Sequence, residues 1–171
     1  NTAIGTQALT TNTSGAGNTA LGYNSLSLNL STSDSTAVGY QALLINVAAQ
    51  VTAVGSGAMV GNTSGTGNTA MGYQSLLGNA TGTGNTAMGF QTLAKAATNI
   101  SNNTAVGNLA ATLASGSGIT AVGASALSNI ALSGSNNTAV GYNTGITLTS
   151  GTGNTLIGAG ADTGGATHAN T

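Results

Sequence analysis

Four side chains in this sequence could support charge-based chemistry: Asp34, Asp162, Lys95 and the imidazole of His168. General acid–base catalysis needs two such groups within reach of one substrate, and metal binding needs a cluster of them. The two aspartates are far apart along the chain, and His168 has no neighbour in sequence that would make it a ligand or a base. Asp162-Thr163-Gly164 echoes the aspartic-protease triplet, but it stands in a Gly-rich stretch without flanking apolar strands, so a turn is expected. Segments starting at Gly15, Gly65, Gly82 and Gly116 match the dinucleotide pattern G-x-G-x-x-[GA]. That pattern works where a strand leads in and a helix N-terminus meets pyrophosphate. Here each match leads into a strand-like segment and recurs along the chain, so turn glycines are expected. The sequence predicts no enzyme, no cofactor and no metal site, and calcium-binding β-roll repeats are excluded because their aspartates are missing.

The aromatic residues are the one set whose placement points to recognition. Tyr23, Tyr40, Tyr73, Phe90 and Tyr142 all follow directly on a repeated glycine. In a stack of repeats they form a ladder down one edge, able either to stack on sugar rings or to seal the core or a subunit seam. A row of threonines offers a further reading, since regularly spaced Thr can order water on ice-binding solenoids. Those faces usually carry two Thr columns, whereas the partner column here is apolar, so an internal hydroxyl ladder is the plainer expectation. Asn-x-Ser/Thr triplets at Asn12, Asn29, Asn62, Asn79, Asn99, Asn102 and Asn136 are what an Asn- and Thr-rich composition produces, and glycosylation would matter only in a suitable eukaryotic host.

The framework that positions all of these is a repeat. Its glycine recurs at residues 5, 22, 39, 55, 72, 89, 107, 123, 141 and 158, at intervals of 16 to 18 residues. Three positions before each glycine stands Thr, and directly before it an apolar residue: Ile4, Leu21, Val38, Val54, Met71, Met88, Val106, Val122, Val140 or Ile157. Ala lies between them in every copy except that of Leu156. On an extended chain the Thr and the apolar residue share one face and the Ala takes the other, so both faces must be close-packed, the Ala face against a near neighbour. Four positions after the glycine comes a second apolar mark, Leu9, Leu26, Leu43, Met59, Leu76, Leu93 or Leu127, replaced by Ala111, Gly145 and Asp162 in three copies. Connectors of Gly, Ser, Thr and Asn supply the turns.

A period near 17 that never drifts describes a solenoid, each repeat forming one coil. Pairs of helices would show the same half-period, but interior Gly, Thr and Asn and the lack of Glu, Lys and Arg argue against them. The predicted fold is all-β: a parallel β-solenoid, or β-roll, of about ten 17-residue coils over residues 1–158, with a Gly-rich terminal segment at 159–171. One or two short strands per coil, roughly 4.8 Å apart, make a rod on the order of 45 Å long. The stack lacks evident caps, so an attached domain or another copy is expected at one or both ends. The start at Asn1, on a repeat and without Met, suggests a processed product or a fragment.

Composition narrows the function. With one Lys and no Arg the chain has no basic face for nucleic acid or anionic lipid. The 40% apolar content, held at fixed positions, gives it a core to bury. Without cysteine there are no disulfides or thiolate metal sites, so backbone pairing must hold the fold. No apolar run approaches the roughly 20 residues of a membrane span, and no signal peptide is visible.

The phrase Asn-Thr-Ala-Val/Ile/Met-Gly-Tyr-Gln-Ser/Ala-Leu, over residues 1–158, resembles the head repeats of trimeric autotransporter adhesins and the similar repeats of bacteriophage tail fibres. The resemblance implies a homotrimer of left-handed parallel β-rolls with an adhesive role, although the coil is longer than the roughly 14 residues typical of the adhesins. The expected function is a non-enzymatic structural or adhesive rod, extracellular on a bacterial surface or a virion tail, contacting a cell-surface glycan or receptor. Alternatives are a homopolymeric extracellular filament built by end-to-end stacking, and an ice- or glycan-binding module.

Overall fold

A computed structural model describes residues 1–95, 99–128 and 132–164, and His168 lies outside them. Each repeat places one three-residue strand. These are β1 (Thr2–Ile4), β2 (Thr19–Leu21), β3 (Thr36–Val38), β5 (Thr52–Val54), β7 (Thr69–Met71), β8 (Thr86–Met88), β9 (Thr104–Val106), β10 (Thr120–Val122), β11 (Thr138–Val140) and β12 (Thr155–Ile157). They form one ten-stranded parallel sheet in chain order, so the chain makes nine full turns between its first strand and its last. Register follows the repeat: Thr stacks on Thr and Ala on Ala, as in Thr19↔Thr36 and Ala20↔Ala37. A second parallel pair, β4 (Ile45–Asn46) with β6 (Gly61–Asn62), is extended by a bridge from Leu28 to Ile45. The protein is thus an all-β parallel β-solenoid, with one strand per coil and, among the described residues, a second strand only in a few early coils.

Between strands the chain turns by an unusual conformational sequence. The repeat glycine takes φ between 124° and 140°, and the residues two and four positions later also have positive φ, as at Gln41 (53°) and Leu43 (52°). A leucine in the left-handed region is disfavoured by about 1 kcal/mol or more, and here it recurs coil after coil. Two gains offset the cost. The Leu26 N–H donates to Ala42 O at 3.0 Å and the Leu43 N–H to Ala58 O at 2.9 Å, each reaching the next coil. The side chain, meanwhile, is driven inward to full burial, as at Leu26, Leu43, Met59, Leu76 and Leu93.

Those side chains meet the Ala column from β2 to β11, which is fully buried. Opposite each such Leu the coil leaves room for a methyl, and connector side chains such as Ile100, Leu132 and Leu148 fill the rest of the core, so the methyl is a volume requirement. Two exceptions noted in the sequence prove to be one compensation. A Cβ on Gly145 would lie 2.6 Å from Leu127 Cδ2 and 3.1 Å from Leu156 Cδ1. Leu156, in place of Ala, reaches into the space that a Leu at 145 would otherwise fill. Leu76→Ala, which empties a fully buried site with no such neighbour, is expected to cost about 2–5 kcal/mol in urea unfolding.

The structure corrects the expected assignment of faces. The Ala face packs within its own coil and requires no other chain, while the bulky apolar residues share the outward face with Thr. Ile4, Leu21, Met71, Met88 and Ile157 are exposed, and the valines of the same column are half-buried.

Candidate functional site: the outward strand face and the aromatic column

Three columns run side by side down the solenoid. Thr and the apolar residue come from alternate positions of each strand, so both project outward, and the residue after the glycine follows at the corner. The Thr column is mostly half-buried, and none of its ten hydroxyls makes a side-chain hydrogen bond within the chain. The expected internal hydroxyl ladder therefore does not form from this row.

The internal ladders are made of asparagine, which in the sequence reads only as turn chemistry. One column lies directly before the Thr. Asn85 Nδ2 donates to Asn68 Oδ1 and Asn103 Nδ2 to Asn85 Oδ1, both at 3.0 Å, and Asn154 Nδ2 to Asn137 Oδ1 also at 3.0 Å. Each Oδ1 accepts in addition a backbone N–H from the next coil, as Asn68 does from Asn85 at 2.9 Å. A second column joins Asn12, Asn29, Asn46 and Asn62, each Nδ2 donating to the Oδ1 of the preceding rung at 3.1–3.3 Å. The signal was present as Asn at two fixed distances from the glycine. Three sequon asparagines, Asn29, Asn62 and Asn79, are wholly buried, and the first two are rungs of this second ladder, so their side chains serve the core.

Tyr23, Tyr40, Tyr73, Phe90 and Tyr142 all fall on the corner column and are 45–62% exposed, so they do not seal the core. They do not form one continuous ladder. Tyr23 stacks on Tyr40 with centroids 5.5 Å apart, and Tyr73 on Phe90 at 5.3 Å, with Ser56 interposed between the pairs. Tyr142 stands apart beyond Asn108 and Ala124. Beside the rings run amides, and Gln91 Nε2 donates to Gln74 Oε1 at 2.8 Å.

The motifs with nominal catalytic meaning resolve into structure. Asp162 accepts from Thr147 N at 3.0 Å and from Thr147 Oγ1 at 2.7 Å, tying the turn after Gly158 to the preceding coil. The Thr163 N–H donates to Asp162 Oδ1 at 2.8 Å, while the backbone turn lies just before the triplet, closed by the Ala161 N–H donating to Gly158 O at 3.1 Å. In the G-x-G matches the first glycine is pressed against the next coil, Gly82 against Ile100 O, and the second takes φ near +70°, as at Gly17 and Gly84. A depression of about 210 Å³ lined by Lys95, Leu109, Thr112, Leu113, Ser125 and Ser128 brings no base to its hydroxyls beyond the lysine itself. Among the described residues no three His, Cys, Asp or Glu side chains come together. Compared with family models, with curated proteins and with solved structures, the chain matches none.

Proposed function

We propose that this chain is a non-enzymatic structural rod, exposed at a bacterial surface or on a virion tail, whose outward strand face associates with two further copies in a homotrimeric adhesin or tail fibre. The observation that carries the reading is the apolar column from Ile4 to Ile157, one residue per coil, left on the surface of the single chain. With flanking Thr methyls it makes a stripe on the order of 400 Å² over a length of about 43 Å. A stripe of that size is comparable to the largest apolar patch of an ordinary monomer, which is often functional, and its one-residue-per-coil continuity supports an association surface. It is in register from coil to coil along the sheet, so side-by-side association of identical chains can match it coil for coil. The likeness of the repeat to trimeric adhesin heads and tail fibres supports three copies.

Light scattering of the whole chain at tens of micromolar is expected to give three times the chain mass of 16.1 kDa. The double variant Met71→Glu/Met88→Glu, which places charges at the middle of the stripe, is expected to run as monomer with its β circular dichroism retained. A native monomer, or an open-ended polymer, overturns the trimer.

The free Thr hydroxyls favour a second reading. An in-register row of hydroxyls beside an apolar row on a regular sheet is a surface that can order water, which makes an ice-binding module the competing assignment. The two use the same face and exclude each other. A monomer with thermal hysteresis lost in Thr69→Tyr selects the second.

A further inference from the structure

We infer that coil four carries a binding notch for one pyranose ring of a neutral glycan, walled by Tyr40 and Tyr73 and floored by Ser56 and Gly57. Each wall belongs to a stacked pair, Tyr23–Tyr40 and Tyr73–Phe90, with interplanar angles of 13° and 14°. In a stacked pair each ring has one face against its partner and the other directed along the column. The free faces of Tyr40 and Tyr73 therefore look toward each other across the coil that bears Ser56.

The gap spans two coil rises, roughly 10 Å between ring planes. A ring seated midway lies about 5 Å from each aromatic centroid, within the range of ordinary ring contacts. A sugar chair, thicker than a flat base and presenting C–H groups on both faces, fills that space better than a planar ring does. The C–H faces meet the negative faces of the two tyrosines.

The floor is open for want of side chain. In coils two, three, five and six the two residues after the glycine are an aromatic and an amide, Tyr23-Asn24, Tyr40-Gln41, Tyr73-Gln74 and Phe90-Gln91. Between the pairs both shrink, to Ser56 and Gly57; Ala124-Ser125 and Ala159-Gly160 are small as well, but only coil four has an aromatic pair on either side. Backbone geometry does not demand that glycine. Gly57 has φ of 66°, and Gln41 and Gln74 hold the same position at 53° and 51°. What glycine supplies there is space: even a Cβ would stand 3.3 Å from Gln74 Cγ.

Polar groups suited to sugar hydroxyls line the notch. The side chains of Gln41 and Ser56 make no hydrogen bond within the chain, and Gln74 uses only its Oε1, which accepts from Gln91. The chain's only formally charged side chains are Asp34, Asp162 and Lys95, and none belongs to coil four, so the ligand is uncharged. The inference rests on the proposed function in one respect, that the aromatic corner stays exposed in the assembled rod.

The test is titration calorimetry of the whole chain with cellohexaose, maltohexaose and mannohexaose, alongside the variant Ser56→Tyr/Gly57→Gln. That variant copies the neighbouring coils, so it is expected to fold, to keep the native mass in light scattering and to complete the aromatic column. Binding of at least one of these oligosaccharides is expected to fall about tenfold or more in the filled variant and in Tyr40→Ala. No binding by the native chain at millimolar concentrations, or binding that survives filling, overturns the notch. A change of mass in the filled variant without loss of binding would instead place the corner at a subunit contact and leave the notch refuted. Failure of the trimer reading would show separately, as a native monomer, because every group of the notch belongs to one chain.

Discussion

Gly39→Ala is expected to lower stability by more than about 4 kcal/mol and to split the unfolding of the rod into two transitions. The glycine sits at φ of 131°, where an L-residue is strained by roughly 1–3 kcal/mol before any contact is considered. Its Cβ would also stand 2.7 Å from both the C and the O of Gly55, and those atoms are backbone of the next coil, which side-chain repacking cannot move. Relief requires the two coils to separate locally. That breaks the hydrogen bonds threading the corner, among them Gly39 N–H to Leu21 O and Gly55 N–H to Val38 O, at 2.8 and 2.7 Å.

In a solenoid, stability is close to a sum of coil terms and nearest-neighbour terms. Weakening one interface uncouples the stack on either side, so a single cooperative melt followed by circular dichroism should become biphasic. Gly61→Ala is the control. Gly61 has no positive φ, and a methyl added there would have nothing within 4 Å, so the change is expected to be neutral or slightly stabilising through the unfolded chain. Equal effects of the two substitutions would refute the account of the repeat glycine as a contact requirement.

Asn85→Ala is expected to cost about 3–5 kcal/mol in urea unfolding, more than any surface substitution. Asn85 is wholly buried. Its Oδ1 accepts from Asn103 N and Nδ2 at 3.1 and 3.0 Å, and its Nδ2 donates to Asn68 Oδ1 at 3.0 Å and to Ile100 O at 2.8 Å. Truncation leaves a buried N–H, an amide proton and a carbonyl without partners, each worth about 1–3 kcal/mol and not additive. Asn108→Ala, on the exposed corner, is expected to fall within about 0.5 kcal/mol of the native protein.

The chain itself shows what would rescue the loss. Val51 and Ile119 occupy the same column and are buried, so an apolar rung is tolerated where no neighbour is left asking for a bond. Asn85→Val combined with Asn103→Ile should therefore cost less than the sum of the two single changes, by about 1 kcal/mol or more in a double-mutant cycle. Strict additivity would mean that the ladder is incidental.

Much of the architecture is legible without coordinates because the chain repeats itself. When Thr, Ala, an apolar residue and Gly recur at a fixed spacing, like residues must stack on like, and parallel register with nine turns follows from the pattern. The reading of the nucleotide-like glycines as turn residues likewise needed only their sequence context. Alternation also tells that Thr and Val share a face. It cannot tell which face is inside, because a strand of three residues presents the same alternation either way round.

Packing volume decides that point. The positive φ of Leu26, Leu43, Leu76 and Leu93 swings a large side chain into the coil, and what remains opposite admits only the Ala methyl. Leucine is no turn residue by composition, so nothing local announces this conformation; stacking holds it in place. The asparagine ladders are hidden for a related reason, since Asn before a strand reads as turn chemistry until its amide is seen to bond one coil further on. The repeat and the coil count were therefore settled by the sequence alone. The outward placement of the apolar column, the buried amide rungs and the gap between Tyr40 and Tyr73 exist only in the stacked chain, because each depends on what the neighbouring coil leaves unfilled.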